Sequence, residues 1–416
     1  MSPTPDPPTP ATAGPAASMG HLPGTAGYRL IMISMFAAGM ATFVLMYATQ
    51  ALLPEFATSF SISPTKATLS ITLTTAALAV TLLVVGPVSE YVGRTPLIRI
   101  SAWAAALVGL ACALAPGWGS LIALRALEGA ALAGLPAVAT AYLREEVHPS
   151  AGGRAAGLYI GGTAIGGMAG RLLTAPIADA YGWRAALAAA AVLALLCAAL
   201  VTVLLPRSAH FAPSTASWRT IPTTARQALA DPALLSLYGL AMCAIGTLVA
   251  VFNALAFRLT WPPFSLSVGA LSLVYVTYMF GTVSSALAGR AADRLGRRAV
   301  LPLGCVLALA GVALMSVDAL VFVVGGLSVL VIGFFIIHGL ASGWVTARAR
   351  AADISTGQAA SFYLVSFYIG SSMFGNLGST AWSHAGWPGV LALAGSLLTV
   401  ASMLAWRLRR IPALTP

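Results

Sequence analysis

The stretch GPVSEYVGR at residues 86 to 94 is repeated in spacing and chemistry by GRAADRLGR at residues 289 to 297. Both follow the pattern G-x-x-x-acid-x-x-G-R, and they lie 203 residues apart in a chain of 416 residues. A second pair, GRAAGLY at 153 to 159 and GQAASFY at 357 to 363, repeats at an offset of 204 residues. Recurrence at about half the chain length indicates a duplicated unit, each copy of which builds a comparable fold.

The composition indicates what surrounds these copies. The chain is 59% hydrophobic and only 8% charged, whereas soluble domains carry roughly 25% charged residues. Because so few charges cannot cover a surface in water, lipid must solvate most of the chain. The cysteines all lie in apolar runs without CxxC spacing, which predicts small core residues and no metal, disulfide framework or cofactor. They are Cys112, Cys197, Cys243 and Cys305.

Apolar runs of membrane length recur along the sequence. A bilayer core of about 30 Å needs roughly 20 apolar residues per helix. Counting such runs predicts an all-α integral membrane protein, with twelve transmembrane helices in two six-helix halves related by pseudo-two-fold symmetry. The predicted spans are 30 to 52, 67 to 88, 97 to 115, 119 to 142, 154 to 178 and 184 to 205 in the first half, and 234 to 257, 267 to 289, 299 to 316, 319 to 343, 358 to 382 and 387 to 407 in the second.

The segments outside the spans complete the predicted organisation. A Pro-rich tail at 1 to 28 with almost no charge is expected to be disordered. A polar linker at 206 to 233 joins the first half, 29 to 205, to the second half, 234 to 410. A short tail at 411 to 416 ends the chain.

Basic residues predict the orientation, because Lys and Arg concentrate in cytoplasmic loops. With the N-terminus inside, 17 of the 22 Lys and Arg residues are cytoplasmic. The others are Lys66, Arg184 and Arg258 on the opposite side and Arg125 and Arg171 within the membrane. Both termini are then cytoplasmic, in a multi-pass protein of the inner or plasma membrane. The net charge of +11 follows from this topology and the anionic leaflet, and no motif indicates nucleic-acid binding.

Two equal halves, a long middle loop and the repeated loop motif resemble the major facilitator superfamily, over roughly residues 30 to 410. The resemblance implies that the motif controls opening and closing on the cytoplasmic side. Its glycines allow tight turns, and a carboxylate and an arginine can pair in one conformation and separate in the other. The alternative is a set of ordinary charged loop residues. The residues of this predicted gate are Gly86, Glu90, Gly93, Arg94, Gly289, Asp293, Gly296 and Arg297.

The stretch LIALRALEG at 121 to 129 resembles the fourth-helix motif of proton-coupled members, in which an arginine precedes a Gln or Glu and a glycine. Arg125 and Glu128 are three residues apart, so they share a helix face and can interact. Both lie well inside an apolar run. An ionisable residue at such a depth costs a few kcal/mol and is functional by default.

A glycine stripe marks the predicted fifth helix. Gly162, Gly166 and Gly170 recur at four-residue intervals, which lets two helix backbones approach closely, and Arg171 follows directly. Drug:proton antiporters carry a glycine-rich motif with a proline at this place. Here the proline comes only at Pro176, so the resemblance to that group is partial.

The repeat offset separates what the two halves share from what they do not. Gly129 falls on a second glycine, Gly333, but the charged positions Arg125, Glu128 and Arg171 have uncharged counterparts, which are Val329, Ile332 and Gly375. This asymmetry favours a function specific to the first half. We hypothesise that Glu128, flanked by the two arginines, is a proton-coupling carboxylate. The alternative is a static buried ion cluster that joins two helices.

The same offset pairs Gln50 with Asn253, on the two helices expected from the resemblance to line a central cavity. Amides at lipid depth need partners, so they contact either substrate or each other. His338 either titrates near neutral pH or only packs in the interior, and both alternatives are open. The predicted cavity set is Tyr47, Gln50, Asn253, Tyr275, Tyr278, His338 and Asn376. Its low charge favours neutral, amphipathic or singly charged substrates.

These observations predict a secondary active transporter that moves a small organic solute by alternating access, with proton-coupled efflux by antiport as the leading mode. Proton-coupled or facilitative uptake of a small metabolite is the alternative. The chain contains no HExxH, GxSxG or phosphate-binding motif, which argues against an intramembrane enzyme. A sensor that kept the fold but lost transport is a further open alternative. The expected partners are the substrate, protons and the lipid bilayer, with a monomeric chain.

Overall fold

The computed structural model describes residues 20 to 211 and 221 to 412, and these residues contain no β-strand. The predicted all-helical membrane fold is confirmed, with ten helical stretches long and apolar enough to cross a membrane. The helices are α1 (Ala26–Tyr47), α2 (Leu53–Ser59), α3 (Pro64–Val92), α4 (Arg94–Ala113), α5 (Trp118–Leu132), α6 (Gly134–Glu146), α7 (Gly152–Leu204), α8 (Ile221–Ala230), α9 (Pro232–Thr260), α10 (Val268–Val274), α11 (Met279–Leu295), α12 (Arg297–Leu314), α13 (Leu320–Ala351) and α14 (Thr356–Arg410). All four cysteines are free and buried, as core residues should be.

Three predicted segments fall partly outside the described residues. The parts outside the described residues are 1 to 19 of the predicted N-terminal tail, 212 to 220 of the predicted linker and 413 to 416 of the predicted C-terminal tail. Within the described residues α1 already begins at Ala26, where the Thr25 side chain accepts a hydrogen bond from the backbone N–H of Tyr28.

The two longest helices are each bent back on themselves at one glycine. A straight helix of the 53 residues of α7 would be about 80 Å long, far longer than the roughly 30 Å of a bilayer core. Gly182 has φ 81° and ψ 167°, which only glycine adopts without strain. In α14, Gly386 has φ 62° and ψ −155°. Each of these helices therefore contributes two membrane-length arms.

A carboxylate caps the arm that begins after Gly182. The N–H of Trp183 has no helical acceptor there and donates to Glu55 Oε1 of α2 at 2.8 Å. Burial raises the pKa of the Glu55 carboxyl, and the hydrogen bond from Trp183 opposes that shift. The short helix α2 thus supplies an anion to a helix N-terminus, where negative charge is favourable.

Three predicted spans are interrupted, which corrects the sequence prediction, and one of them, the span at 119 to 142, divides at Ala133 into α5 and α6. The span at 30 to 52 ends as α1 at Tyr47 and continues through a turn at 48 to 52 into α2, with Pro54 in its first turn. Gln50 therefore lies in a turn, not in a helix. The span at 267 to 289 is interrupted by a 3-10 turn, Tyr275–Tyr278. Short 3-10 segments inside a helix often mark hinges.

The close approach of two helix backbones that the glycine stripe predicts is formed, and the structure identifies the partner helix of α7 as α1. A Cβ on Gly162 would lie 2.5 Å from the carbonyl oxygen of Phe36, and one on Gly166 would lie 2.4 Å from that of Met40. The C-terminal part repeats this arrangement between α14 and α9, where a Cβ on Gly370 would lie 2.4 Å from the carbonyl oxygen of Met242. Because backbone cannot yield cheaply, these helix pairs can approach so closely only with glycine.

At one end of the bundle, here called the arginine-rich end, α7 and α14 both start and finish. Arg99 donates to the carbonyl of Leu205 after α7 at 2.7 Å, and Arg298 donates to that of Ile411 after α14 at 2.5 Å. Arg348 also binds Asp231 there, with 2.8 Å between Nη2 and Oδ2. Burial raises the pKa of Asp231, but hydrogen bonds from Arg348 and from the N-terminus of α9 outweigh it and hold the pKa below its usual value.

The close packing of α1 and α7 predicts a contrast between neighbouring glycines. Gly162→Ala should cost about 1–3 kcal/mol of stability, because its methyl group overlaps the backbone of Phe36. Gly161→Ala, where nothing lies within 4 Å of the added Cβ, should be neutral or stabilising by about 0.5–1 kcal/mol. Thermal unfolding of both variants in one detergent measures the difference. Equal melting temperatures would contradict the packing.

Candidate functional site

Arg125 and Glu128 form an ion pair in the interior of the bundle. They are one helical turn apart on α5, their side chains are each 1% exposed, and Arg125 Nη1 bonds Glu128 Oε2. The predicted interaction between the two residues is therefore present. Each charge stabilises the other at a depth where water cannot solvate either of them.

The same guanidinium completes the end of α1. Arg125 Nη1 and Nη2 donate to the carbonyl oxygens of Leu45 and Met46, each at 3.0 Å, and Nε donates to that of Ser70 at 2.9 Å. The last carbonyls of a helix lack intrahelical donors and carry partial negative charge. Arg125 supplies both the donors and the positive charge, so the end of α1 depends on this side chain.

Glu128 has one engaged and one unengaged oxygen. Oε2 accepts from Arg125 and from the Cys112 thiol, whose sulfur lies 3.7 Å away. Oε1 is buried without a hydrogen-bond partner. It faces Gly109, where an added Cβ would lie only 2.9 Å from it. A buried carboxylate oxygen without a donor is a favourable place for a proton.

Arg171 lies in an aromatic cage and not against Glu128. The ion-pair partner of Glu128 in the described structure is Arg125, whereas Arg171 donates to Gln50 Oε1 at 2.7 Å and to the carbonyl of Gly167 at 2.6 Å. The expected flanking of Glu128 by both arginines is thus not formed in this conformation. The reason is that Arg171 follows the glycine stripe and faces the C-terminal part. The rings around its guanidinium are Tyr47 at 4.4 Å, Phe252 at 5.2 Å, and Tyr275 and Tyr278 at 5.3 Å.

An amide pair joins this cage to the C-terminal part. Gln50 Nε2 donates to Asn253 Oδ1 at 2.6 Å, and Asn253 Nδ2 donates to the carbonyl of Gly375 at 3.2 Å. Of the two readings, contact between the amides is therefore the one formed here. Gln50 bridges Arg171 and Asn253, so the cage spans both parts of the chain.

The structure places four of the seven predicted cavity residues against Arg171 and a fifth, Asn253, against Gln50, and it places the other two elsewhere. His338 packs between Phe334 and Phe367 and lies 2.9 Å from the Tyr363 hydroxyl. Asn376 donates to the carbonyl of Thr65 at 3.1 Å. The cage member that sequence reasoning missed is Phe252, whose only signal is its position beside Asn253.

Hydrogen bonds between α3 and α14 close the end opposite the arginine-rich end. Thr65 Oγ1 lies 3.3 Å from Ser383 Oγ, Thr68 Oγ1 donates to Ser379 Oγ at 2.6 Å, and Ser372 Oγ donates to the carbonyl of Thr72 at 3.0 Å. The N–H of Gly269 in α10 also donates to Asp179 of α7 at 2.5 Å. The N-terminal and C-terminal parts are therefore held together at this end.

The two loop motifs lie at the arginine-rich end. Gly93 and Gly296 have φ 96° and 82°, so each motif turns at a position that requires glycine. Arg94 pairs with Glu145 of α6, with Nη2 to Oε1 at 3.0 Å, and also bonds Ser89.

The motif acids are not the partners of the motif arginines in this conformation. Glu90 and Asp293 are exposed, and Arg297 donates to the carbonyl of Gly343 at 3.3 Å. Gly86 approaches the C-terminal part, because a Cβ there would lie 3.8 Å from Ser361 Oγ. A Cβ added at Gly289 would have no atom within 4 Å.

Comparisons with known proteins agree with this architecture. The sequence model of the Major Facilitator Superfamily matches residues 31–282. The chain is 37% identical to the MFS-type transporter YybF of Bacillus subtilis, covering 93% of this chain and 95% of that protein. It is 36% identical to the inner membrane transport protein YnfM of Escherichia coli, covering 93% and 92%.

Two solved structures share the fold. One is a bacterial homolog of the human lysosomal transporter Spinster in an inward-facing and occupied conformation, with a TM-score of 0.75, 15% identity and coverage of 93% of this chain and 98% of that chain. The other is the nucleoside transporter NupG, with a TM-score of 0.70, 14% identity and coverage of 91% and 99%.

The Arg125 contacts predict strong coupling to Glu128. Arg125→Gln should cost about 3–5 kcal/mol of stability, because it leaves a buried carboxylate and the end of α1 without partners. Adding Glu128→Gln should recover part of that loss, since the buried carboxylate charge that Arg125 no longer balances is then gone. Unfolding of the two single variants and the double variant measures the coupling. Additive losses would show that the two side chains do not interact.

Proposed function

This chain belongs to the major facilitator superfamily, and from that premise we propose that it moves a small organic solute across the inner membrane by alternating access. It is a multi-pass membrane transporter and not an enzyme. Because α7 and α14 each have two arms, the ten membrane-length stretches correspond to twelve membrane crossings, six in each part of the chain. We take these parts as two halves that rock about the Arg171 cage, within a monomer.

The contacts between the halves support a state that is closed at one end. Hydrogen bonds between α3 and α14 and between α10 and α7 join the halves at the end opposite the arginine-rich end. The positive-inside rule assigns the arginine-rich end to the cytoplasm, and YnfM is described as an inner membrane protein. The proposed conformation is therefore sealed on the outside, with both termini in the cytoplasm.

The loop motifs act as the cytoplasmic gate in this proposal. Arg94 is held by Glu145, and Arg297 by the carbonyl of Gly343, each within its own half. Glu90 and Asp293 are exposed and free to receive new partners when the cytoplasmic ends approach each other. Ion pairs that exchange partners between two states bias the equilibrium between them.

Proton coupling rests on the unengaged Oε1 of Glu128. Protonation of this carboxylate removes the charge that holds Arg125, whose other donors fix the last carbonyls of α1. Tyr47 and Gln50 lie at and just beyond that helix end and line the Arg171 cage. Protonation of Glu128 therefore affects the substrate site through the segment that joins the end of α1 to Gln50. We assign efflux by proton antiport as the mode of transport.

Neutralising Glu128 should uncouple transport from the pH gradient. Glu128→Gln mimics the protonated state, so a radiolabelled compound selected by ligand-induced thermal stabilisation should equilibrate across liposomes but not accumulate against its gradient. Asp353→Asn, at an exposed left-handed turn that Asn tolerates, is the matched control and should accumulate the compound as the wild type does. Unchanged gradient-driven accumulation by Glu128→Gln would remove the coupling role.

Cross-linking the closed end should stop the transport cycle. Thr65→Cys with Ser383→Cys replaces two hydroxyls that lie 3.3 Å apart across the halves. An oxidant should form the disulfide and abolish transport, and a reductant should restore it, whereas each single cysteine variant should stay active under oxidant. Full transport by the cross-linked protein would show that this end does not need to open.

A further inference from the structure

Arg171 is a buried charge without a counter-ion. Its side chain is 2% exposed, and within residues 20 to 211 and 221 to 412 no Asp or Glu forms an ion pair with it. Its hydrogen-bond acceptors, Gln50 and the carbonyl of Gly167, are neutral. By contrast, Arg125 at a similar depth has the full negative charge of Glu128.

Aromatic rings compensate this charge only in part. The rings of Tyr47, Phe252, Tyr275 and Tyr278 present their electron-rich faces to the guanidinium at 4.4 to 5.3 Å. A buried ion, however, is fully stabilised only by an opposite charge with matched hydrogen bonds. The second half offers no carboxylate at this depth, since its acidic residues are Asp293, Asp318 and Asp353, which lie at helix ends and turns. The missing charge must come from a molecule that enters the cage.

We infer that Arg171 binds the carboxylate of the transported substrate, and that this substrate is a small organic monocarboxylate with a planar or apolar body. This inference rests on the proposed transport function and names the substrate class of its central site. Guanidinium geometry suits a carboxylate, which can accept two parallel N–H bonds. The aromatic rings of the cage then contact the body of the substrate.

The charge balance restricts the substrate to one negative charge. With Arg125 compensated by Glu128, one uncompensated cation remains at this depth, so a monoanion makes the site neutral. A dianion such as a phosphate monoester would leave one negative charge buried and unpaired, at a cost similar to that of the empty site. An organic cation would be repelled by the guanidinium.

Gln50 connects binding of the carboxylate to the contact between the halves. Its Oε1 accepts a hydrogen bond from Arg171 Nε, and its Nε2 donates one to Asn253 Oδ1 of the other half. A carboxylate that takes Nε releases the Gln50 carbonyl from Arg171. The amide bridge between the halves is thereby free to rearrange, so substrate binding acts on the same interface that must open and close.

A matched set of aromatic probes tests the inference on the purified full-length protein. Benzoate carries the carboxylate, benzamide is its neutral isostere, and benzylamine is a cation of similar size. Benzoate should raise the melting temperature of the wild type in a concentration-dependent manner, whereas benzamide and benzylamine should not. Equal stabilisation by benzoate and benzamide, or none by benzoate, would overturn the inference.

Variants at Arg171 test the residue itself. Arg171→Gln should raise the dissociation constant for benzoate about a hundredfold, and its ligand-free melting temperature should equal or exceed that of the wild type, because an uncompensated buried charge is gone. Arg171→Lys keeps the charge but not the planar donors, and it should bind with intermediate affinity. The control is Arg184→Gln, which removes an exposed arginine of the same half and should bind benzoate normally. Normal benzoate binding by Arg171→Gln would exclude the proposed contact.

Failure of this inference is distinguishable from failure of the proposed transport. If benzoate binds through Arg171 but does not cross liposome membranes, the substrate site stands as a carboxylate site and the transport proposal is weakened. If Arg171→Gln still transports compounds that the wild type transports, the transporter stands and the carboxylate contact falls.

Discussion

The guanidinium of Arg125 determines where α1 ends. Its hydrogen bonds to the carbonyls of Leu45 and Met46 satisfy acceptors that the helix cannot, and its charge is balanced by Glu128 on the same face of α5. Without this contact the carbonyls would be buried among apolar side chains, where each unsatisfied group is costly. This side chain holds the turn at 48 to 52 from one side, and Arg171, which donates to Gln50, holds it from the other.

Two buried arginines therefore have different surroundings for a physical reason. Arg125 is neutralised by a carboxylate that can itself be neutralised by a proton, so its hold on α1 is conditional. Arg171 has neutral acceptors and aromatic rings and is separated from the first arginine by the short turn that carries Thr49 and Gln50. A change at Glu128 and an anion at Arg171 act on the same turn from its two sides. Such a shared element is what coupling between two ligands requires.

The sequence predicted the features that depend on local pattern. Repeated motifs at a fixed offset indicated the family, apolar run length indicated the helices, and four-residue glycine spacing indicated that the helix carrying it packs closely against another, which the structure identifies as α1. Spacing of three residues also predicted the contact between Arg125 and Glu128. Each of these follows from the geometry of one helix or from a repeat, both of which can be read without knowing the tertiary structure.

What the sequence did not predict depends on contacts between distant segments. The breaks at 48 to 52 and at Tyr275–Tyr278 lie inside apolar runs, and hydropathy carries no information about backbone angles. Arg171 was expected beside Glu128 because depth in the membrane can be counted along a helix, whereas the direction in which a side chain points into the bundle cannot. Asn376 was expected in the cavity for the same reason, but it reaches the backbone of Thr65 in α3.

The central claim is that the charge of Glu128 controls the end of α1. Hydrogen exchange of peptides covering residues 45 to 53 measures this directly, because the amides of Gln50 and Leu52 form the turn beyond the helix. In Glu128→Gln these amides should exchange faster than in the wild type, while peptides from α4 and α12 should be unchanged. Identical exchange at 45 to 53 in the two proteins would contradict the account.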